Sequence, residues 1–121
     1  MNYDIKNMKL ATEGARRIAW ADNDMPVLAK IRARFAKEKP FAGRTIASCL
    51  HVTSETANLL RTLQAGGANV IVCASNPLST QDDVAASLVK DFKIPTFAIK
   101  GESRETFFKH LKSVVAYKPQ I

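Results

Sequence analysis

The sequence predicts an α/β fold of the Rossmann or flavodoxin type, with helices on both faces of a parallel sheet in three α/β/α layers. Three short apolar runs are separated by longer segments in which apolar residues recur at helical spacing. Each run is followed by a turn rich in helix-capping residues. Alternation of this kind, βαβαβα, requires parallel strands joined by right-handed crossovers.

Two helices are predicted ahead of the first strand. The first covers residues 10–21, where apolar residues recur every three or four positions. The second has Asp24 as a candidate cap, and Pro26 is tolerated in its first turn. Pro40 and Gly43 end it.

The predicted strands are residues 45–50, 69–73 and 95–99, each short and apolar. Residues 119–121 resemble the start of a further strand.

A helix follows each predicted strand. The first is capped by Thr53 or Ser54 and ends at a pair of glycines, and the second is capped by Ser79 or Thr80. The third covers residues 104–114. Three leucines of the first of these helices are expected to point inward: Leu59, Leu60 and Leu63.

Composition favours one small domain over residues 1–121, because 46% of the 121 residues are hydrophobic. No apolar run is long enough to cross a membrane, and the start has no signal-peptide pattern, so a cytoplasmic protein is expected. Cys49 and Cys73 fall in predicted buried strands, where a disulfide is possible in principle, but two reduced thiols are expected. With only two histidines and no ligand cluster, no metal site is expected.

The net charge of +7 raises the question of nucleic-acid binding. The basic residues are spread over the polar faces of the predicted helices, and only residues 30–44 concentrate them. A solvated helix face explains that stretch, so a nucleic-acid partner is not expected.

Polar side chains follow each predicted strand at the carboxyl edge of the sheet, where open parallel sheets bind ligands. His51 directly follows the first strand and suits general acid or base chemistry near neutral pH. The alternative is a strand-end histidine bonded to the backbone, which the pattern alone favours. Thr53 and Glu55 share this turn, and both also suit a helix N-terminus without any ligand.

The turn after the second strand carries four polar side chains that could bind a polar heterocycle or a ribose: Asn76, Ser79, Thr80 and Gln81. Asn76 followed by Pro77 is also a common turn. Neither GxGxxG nor GxxxxGK[ST] occurs, so no known phosphate-binding loop is present. The pattern alone therefore predicts a small-molecule site of unknown specificity.

Two segments at this edge resemble signatures of the adenosylhomocysteinase family. Residues 47–59, ASCLHVTSETANL, are similar to its CLHxTxxTA signature, and residues 75–86, SNPLSTQDDVAA, to NxxSTQDxxAA. The predicted N-terminal helices and residues 94–102 fit the family in the same order. The resemblance covers nearly the whole chain and implies the N-terminal part of the family's substrate-binding domain.

The family splits S-adenosylhomocysteine into adenosine and homocysteine, and the resemblance implies roles at matching positions. His51 would be catalytic, moving a proton at the homocysteine sulfur or the incoming water. Leu50 would pack on the base, and Glu55 would face the adenine edge. The other substrate-binding residues so implied are Thr53, Thr56 and Gln81.

The family's chemistry uses tightly bound NAD to oxidise the ribose 3′-hydroxyl transiently, which permits elimination of homocysteine, addition of water and reduction of the ketone. Residues 1–121 contain no NAD-binding domain and lack several further catalytic residues. The chain alone is therefore expected to bind no cofactor, to be inactive, and to keep a weak nucleoside pocket.

The alternative hypothesis is a stand-alone module that binds a nucleoside or a protein without catalysis. A reading frame that continues beyond Ile121 would favour the enzyme, and a stop codon there would favour the module. An incomplete sheet exposes an edge, which predicts self-association, for example as a dimer.

Overall fold

Four parallel strands form one sheet in the computed structural model, which describes all residues from Met1 to Ile121. Their spatial order is β1-β4-β3-β2, and each neighbouring pair is parallel. The predicted α/β class with a parallel sheet is confirmed. The strands are β1 (Asp4–Ile5), β2 (Thr45–Leu50), β3 (Asn69–Ala74) and β4 (Thr96–Ala98).

Five α-helices connect and flank the strands, and a 3-10 turn at Met8–Leu10 leads into the first of them. None of the five is both long and apolar enough to cross a membrane. They are α1 (Ala11–Asp22), α2 (Pro26–Glu38), α3 (Ser54–Ala65), α4 (Asp82–Lys90) and α5 (Arg104–Val115).

The central strand β3 alternates its side chains between two apolar clusters. Val70 and Val72 belong to the larger cluster, together with buried residues of α1, α3 and α4. Ile71 and Cys73 belong to the smaller one, with Phe97 and a buried valine of α5. Because a strand points alternate residues to opposite faces, the sheet lies between these two cores, which gives the expected three layers.

Helix α1 packs closely against α4 at Gly14. A Cβ atom there would overlap the carbonyl oxygen of Asp83, so only glycine fits this crossing. Asn58 ties α1 to α3, because its buried Nδ2 donates to the Ile18 carbonyl at 3.0 Å. These contacts hold α3 and α4 in place, and both helices begin at the carboxyl edge of the sheet.

Several expectations from the sequence were wrong. The strand β1 was not foreseen, because it has only two residues and is stabilised by pairing with the distant β4. Gln81, and not Ser79 or Thr80, is the N-cap residue of α4. Leu59 is 37% exposed although Leu60 is fully buried, because α3 turns only one of these adjacent residues to the core.

The cysteines and the chain end also depart from expectation. Cys49 is exposed, whereas Cys73 is buried, because β2 lies at the edge of the sheet and β3 at its centre. Residues 119–121 do not form a full strand. They nevertheless run along β2, since the Ala47 amide donates to the Ile121 carbonyl at 2.9 Å.

Candidate functional site at the carboxyl edge of the sheet

The turn between β2 and α3 forms a shelf at the carboxyl edge of the sheet, which we call the β2 shelf (residues 50–56). Its position is fixed by a bridge to the next turn. The Val52 amide donates to the Ser79 carbonyl at 2.8 Å, and the Gln81 amide donates to the Val52 carbonyl at 2.9 Å. The structure therefore brings Gln81 beside the predicted residues of the β2 shelf.

His51 is exposed, and its imidazole makes no hydrogen bond or ion pair within the chain. The alternative prediction, a strand-end histidine whose ring is hydrogen-bonded to the backbone, is therefore wrong. Both ring nitrogens are therefore free to make hydrogen bonds to a ligand.

Thr53 is the N-cap of α3, and its side chain accepts a hydrogen bond from the Thr56 amide. The two hydroxyls lie 3.4 Å apart. This capping contact fixes both side chains on the β2 shelf. Because the Thr53 hydroxyl donates to Thr56 Oγ1, the Thr56 hydroxyl proton is the one that can still rotate towards a ligand.

Glu55 lies in the first turn of α3, with its carboxyl group exposed. Hydrogen bonding to its own backbone amide lowers the pKa of this carboxyl, and the Ser54 hydroxyl, at 3.1 Å, adds to the effect. Arg17 also lowers it, whereas partial burial acts in the opposite direction. Glu55 is therefore ionised at neutral pH and acts only as a hydrogen-bond acceptor.

Gln81 is hydrogen-bonded to the same shelf residue as Glu55. Its Oε1 accepts from the Ser54 backbone amide at 3.1 Å. Since the oxygen is occupied in this way, the Nε2 group carries the free donors of the side chain. The carboxylate of Glu55 and the side-chain amide of Gln81 are thus both hydrogen-bonded to Ser54. From the sequence, Ser54 was expected only as a possible helix cap.

Leu50 and Asn76 lie next to this arrangement. Leu50 is 37% exposed at the end of β2, so it offers an apolar surface beside His51. The Oδ1 atom of Asn76 accepts from the Leu78 amide at 2.9 Å, which makes a local turn. The oxygen of Asn76 thus already accepts one bond within the loop, whereas its amide nitrogen makes none and is free to donate to a ligand.

Thr80 was a candidate from the sequence both for ligand binding and for capping α4. It is 4% exposed, and its hydroxyl has no hydrogen-bond partner although it is buried. A buried hydroxyl without a partner destabilises the fold. The backbone of the turn that carries Thr80 is held in place by the β-bridge to Val52.

The turn after β4 is also polar, but it is closed. His110 of α5 is 1% exposed, and its Nε2 atom lies 2.9 Å from Asp4 of β1. Its Nδ1 atom lies 2.8 Å from Glu102, although the angle falls outside hydrogen-bond geometry. Burial raises the pKa of the Glu102 carboxyl, and the charge of His110 opposes that rise. We call these three residues the His110 cluster.

The two surface pockets of the molecule lie away from the β2 shelf. One of about 480 Å³ is lined by residues of the N-terminus, β4 and α5, among them Phe97 and Tyr117. Another of about 370 Å³ lies where α2 begins, next to Met25 and Ile31. The β2 shelf is an open surface that lines neither cavity. In residues 1–121 it can therefore form only one side of a binding pocket.

The described residues do not form a metal or dinucleotide site. No three His, Cys, Asp or Glu side chains are grouped as metal ligands. None of the turns after β2, β3 and β4 has the glycine pattern that lets a backbone approach a pyrophosphate. Gly66 and Gly67 lie at the opposite edge, between α3 and β3.

Comparisons with known proteins agree on one family. The model of the family described as S-adenosyl-L-homocysteine hydrolase matches residues 2–120. The chain is 62% identical to the adenosylhomocysteinase of Aquifex aeolicus over 121 residues, which are 100% of this chain and 29% of that protein. It is 53% identical to the adenosylhomocysteinase of Gloeobacter violaceus and 49% identical to that of Sulfurisphaera tokodaii, again over 100% of this chain and 28% and 29% of those proteins. The chain thus spans less than a third of the length of these relatives.

Proposed function

The chain belongs to the S-adenosyl-L-homocysteine hydrolase family, and on that premise we propose that residues 1–121 form the N-terminal part of its substrate-binding domain. In this role the β2 shelf binds the adenosine half of S-adenosylhomocysteine, which the whole protein hydrolyses reversibly to adenosine and homocysteine. The single observation that carries the proposal is the pairing of Glu55 and Gln81 on Ser54.

This pairing suits the edge of an adenine base. The exocyclic amine of adenine donates hydrogen bonds, and the neighbouring ring nitrogen accepts one. The ionised Glu55 can accept from the amine, and the free Nε2 of Gln81 can donate to the ring nitrogen. Inosine presents an oxygen in place of the amine, which would face the Glu55 carboxylate as a second acceptor.

The other shelf residues complete the proposal. Leu50 offers the apolar surface on which the base packs, and Thr53, Thr56 and the Asn76 amide lie within the same edge. His51 is the residue we propose to move a proton at the ribose 5′ side, because its ring nitrogens are exposed and unpaired.

The chemistry assigned to the family also uses NAD, and these residues do not fit that cofactor. No turn of the sheet offers a dinucleotide loop, so NAD would be held by other parts of a longer protein. Residues 1–121 are therefore proposed to bind and orient the nucleoside and to be inactive alone. The hypothesis of a stand-alone module gains no support from the matches.

Two expectations about setting and assembly stay proposals. The two free cysteines suit the reducing cytoplasm, where we expect the protein to act. Self-association through the exposed edges of the sheet remains a prediction. The proposed ligand, adenosine or S-adenosylhomocysteine, is expected to bind weakly, because the β2 shelf contacts it from one side only.

Calorimetric titration of the folded chain with adenosine tests the proposal. We expect saturable millimolar binding that weakens about tenfold in the variant Glu55→Gln, because a hydrogen bond to a charged acceptor contributes about 1.5–3 kcal/mol. His51→Ala is expected to change binding less than Glu55→Gln, since the imidazole serves the proton transfer.

A matched control is Glu105→Gln. Glu105 occupies the position in α5, two residues after its Ser103 cap, that Glu55 occupies in α3, and it too is exposed. Its substitution should leave adenosine binding unchanged. Equal affinity for inosine and adenosine, or no binding by a folded chain, would contradict the proposed recognition.

A further inference from the structure

The two cysteines of the chain are register partners on neighbouring parallel strands. Cys49 of β2 lies directly opposite Cys73 of β3. Adjacent strands are about 4.8 Å apart, which is within the range of Cα separations that disulfides span, about 4.4–6.8 Å.

Both thiols point to the same face of the sheet. Cys73 belongs to the smaller apolar cluster, and Ala47, two residues before Cys49, packs against that same cluster. Since alternate residues of a strand share a face, Cys49 lies on this side as well. Its sulfur is 3.7 Å from the carbonyl oxygen of Ala74, the residue after Cys73.

The two thiols differ in exposure and in acidity. Cys49 is exposed and Cys73 is fully buried. Burial raises the pKa of Cys73 to about 12, and the neighbouring Cys49 and then Glu102 contribute to the rise. Cys73 therefore stays a protonated thiol at neutral pH, and Cys49 is the thiol that a dissolved oxidant meets first.

We propose that Cys49 and Cys73 form a reversible oxidation site, in which hydrogen peroxide oxidises Cys49 and Cys73 then closes an intrachain disulfide. The Cys49 sulfur attacks one peroxide oxygen, so an S–O bond forms, the O–O bond breaks, and the departing hydroxide leaves as water with the proton of the thiol. The Cys73 thiol passes its proton to the hydroxide of the sulfenic acid as its sulfur attacks the Cys49 sulfur, so the S–S bond forms, the S–O bond breaks, and a second water leaves.

The location gives the site its significance. Cys49 directly precedes Leu50 at the end of β2, and the Ser75 amide already bonds the Leu50 carbonyl at 3.0 Å. A disulfide would add a covalent link between β2 and β3 at the point where the β2 shelf begins. Oxidation would therefore tie the end of β2 to β3. The disulfide can be detected without any bound ligand.

Treatment of the folded chain with dilute hydrogen peroxide, followed by mass spectrometry under denaturing conditions, tests the inference. The monomer is expected to lose the mass of two hydrogens, and its free thiols should fall from two to none. Dithiothreitol should restore both. Peptide mapping should find residues 49 and 73 in one cross-linked pair.

Single substitutions separate the two steps. In Cys73→Ala the sulfenic acid of Cys49 cannot be resolved within the chain, so trapping by dimedone should rise about tenfold over the native chain. In Cys49→Ser, an exposed change that leaves the core intact, the buried Cys73 should keep its thiol. The inference is overturned if the native chain keeps a free Cys73 while Cys49 is oxidised to sulfinic acid or joins two chains.

Discussion

The two histidines of the chain lie near the ends of two strands of one sheet, yet their surroundings are opposite. His51, after β2, is exposed and has no partner in the chain. His110 is 1% exposed and lies between the carboxylates of Asp4 and Glu102. A histidine buried between two carboxylates serves the fold, whereas an exposed histidine with no partner in the chain is available for a substrate.

The glutamates of the two regions show the same contrast. Hydrogen bonds at the start of α3 lower the pKa of Glu55. Burial beside His110 raises the pKa of Glu102. The charged form of Glu55 is thus favoured on the β2 shelf, whereas burial favours the neutral form of Glu102 in the His110 cluster. This difference predicts opposite responses to substitution and to pH.

The largest effect is expected from His110→Ala. The change removes a fully buried ring that lies against Glu102, and it releases Asp4 of the short strand β1. Leaving a buried polar partner unsatisfied costs about 1–3 kcal/mol in general, and the cavity left by the ring adds to this, so we expect about 3 kcal/mol here. Urea denaturation at neutral pH measures the loss.

His51→Ala is the matched control for this prediction. Its ring is exposed and makes no hydrogen bond or ion pair within the chain, so the free energy of unfolding should change by less than about 0.5 kcal/mol. If the two alanine variants were equally stable, the assignment of His110 to the fold would be wrong.

The contrast between the histidines shows how far the sequence can be interpreted alone. The positions of His51 and Glu55 followed from the local order of strand, turn and cap, because each depends on neighbours within a few residues. The His110 cluster did not, since Asp4 and His110 are 106 residues apart in the chain. Only the folded sheet, with β1 beside β4, brings them together.

Similar reasoning explains the other outcomes. The strands at the centre of the sheet have strong local apolar patterns and were found, whereas β1 exists only through its pairing with β4. The exposure of Cys49 depends on strand order, which no local pattern records. The hydrogen bonds of Glu55 and Gln81 to Ser54 likewise depend on the bridge between the turn after β2 and the turn after β3.

Glu102→Gln sharpens the comparison through its dependence on pH. Burial makes the folded chain bind the Glu102 proton more tightly than the unfolded chain does. The stability contributed by this proton is present below the unfolded pKa and is lost as pH rises through the folded value. Glutamine carries no such proton, so the stability of Glu102→Gln relative to the native chain should increase from about pH 4 to neutral pH. Urea midpoints across this range measure the trend, and a flat difference would mean that burial does not perturb Glu102.

Glu55→Gln should give the smallest effect, with the opposite sign. The folded pKa of Glu55 is lowered, so its stabilisation is present above the unfolded value of 4.5 and is lost as pH falls through the folded value. A carboxylate in the first turn of an exposed helix contributes about 0.5 kcal/mol, since water and salt screen its interaction. Glu55→Gln should therefore be slightly less stable than the native chain at neutral pH and equal to it in acid. Urea titrations of both glutamine variants in one buffer series decide the matter: slopes of the same sign would show that the two regions do not differ in the way that the structure indicates.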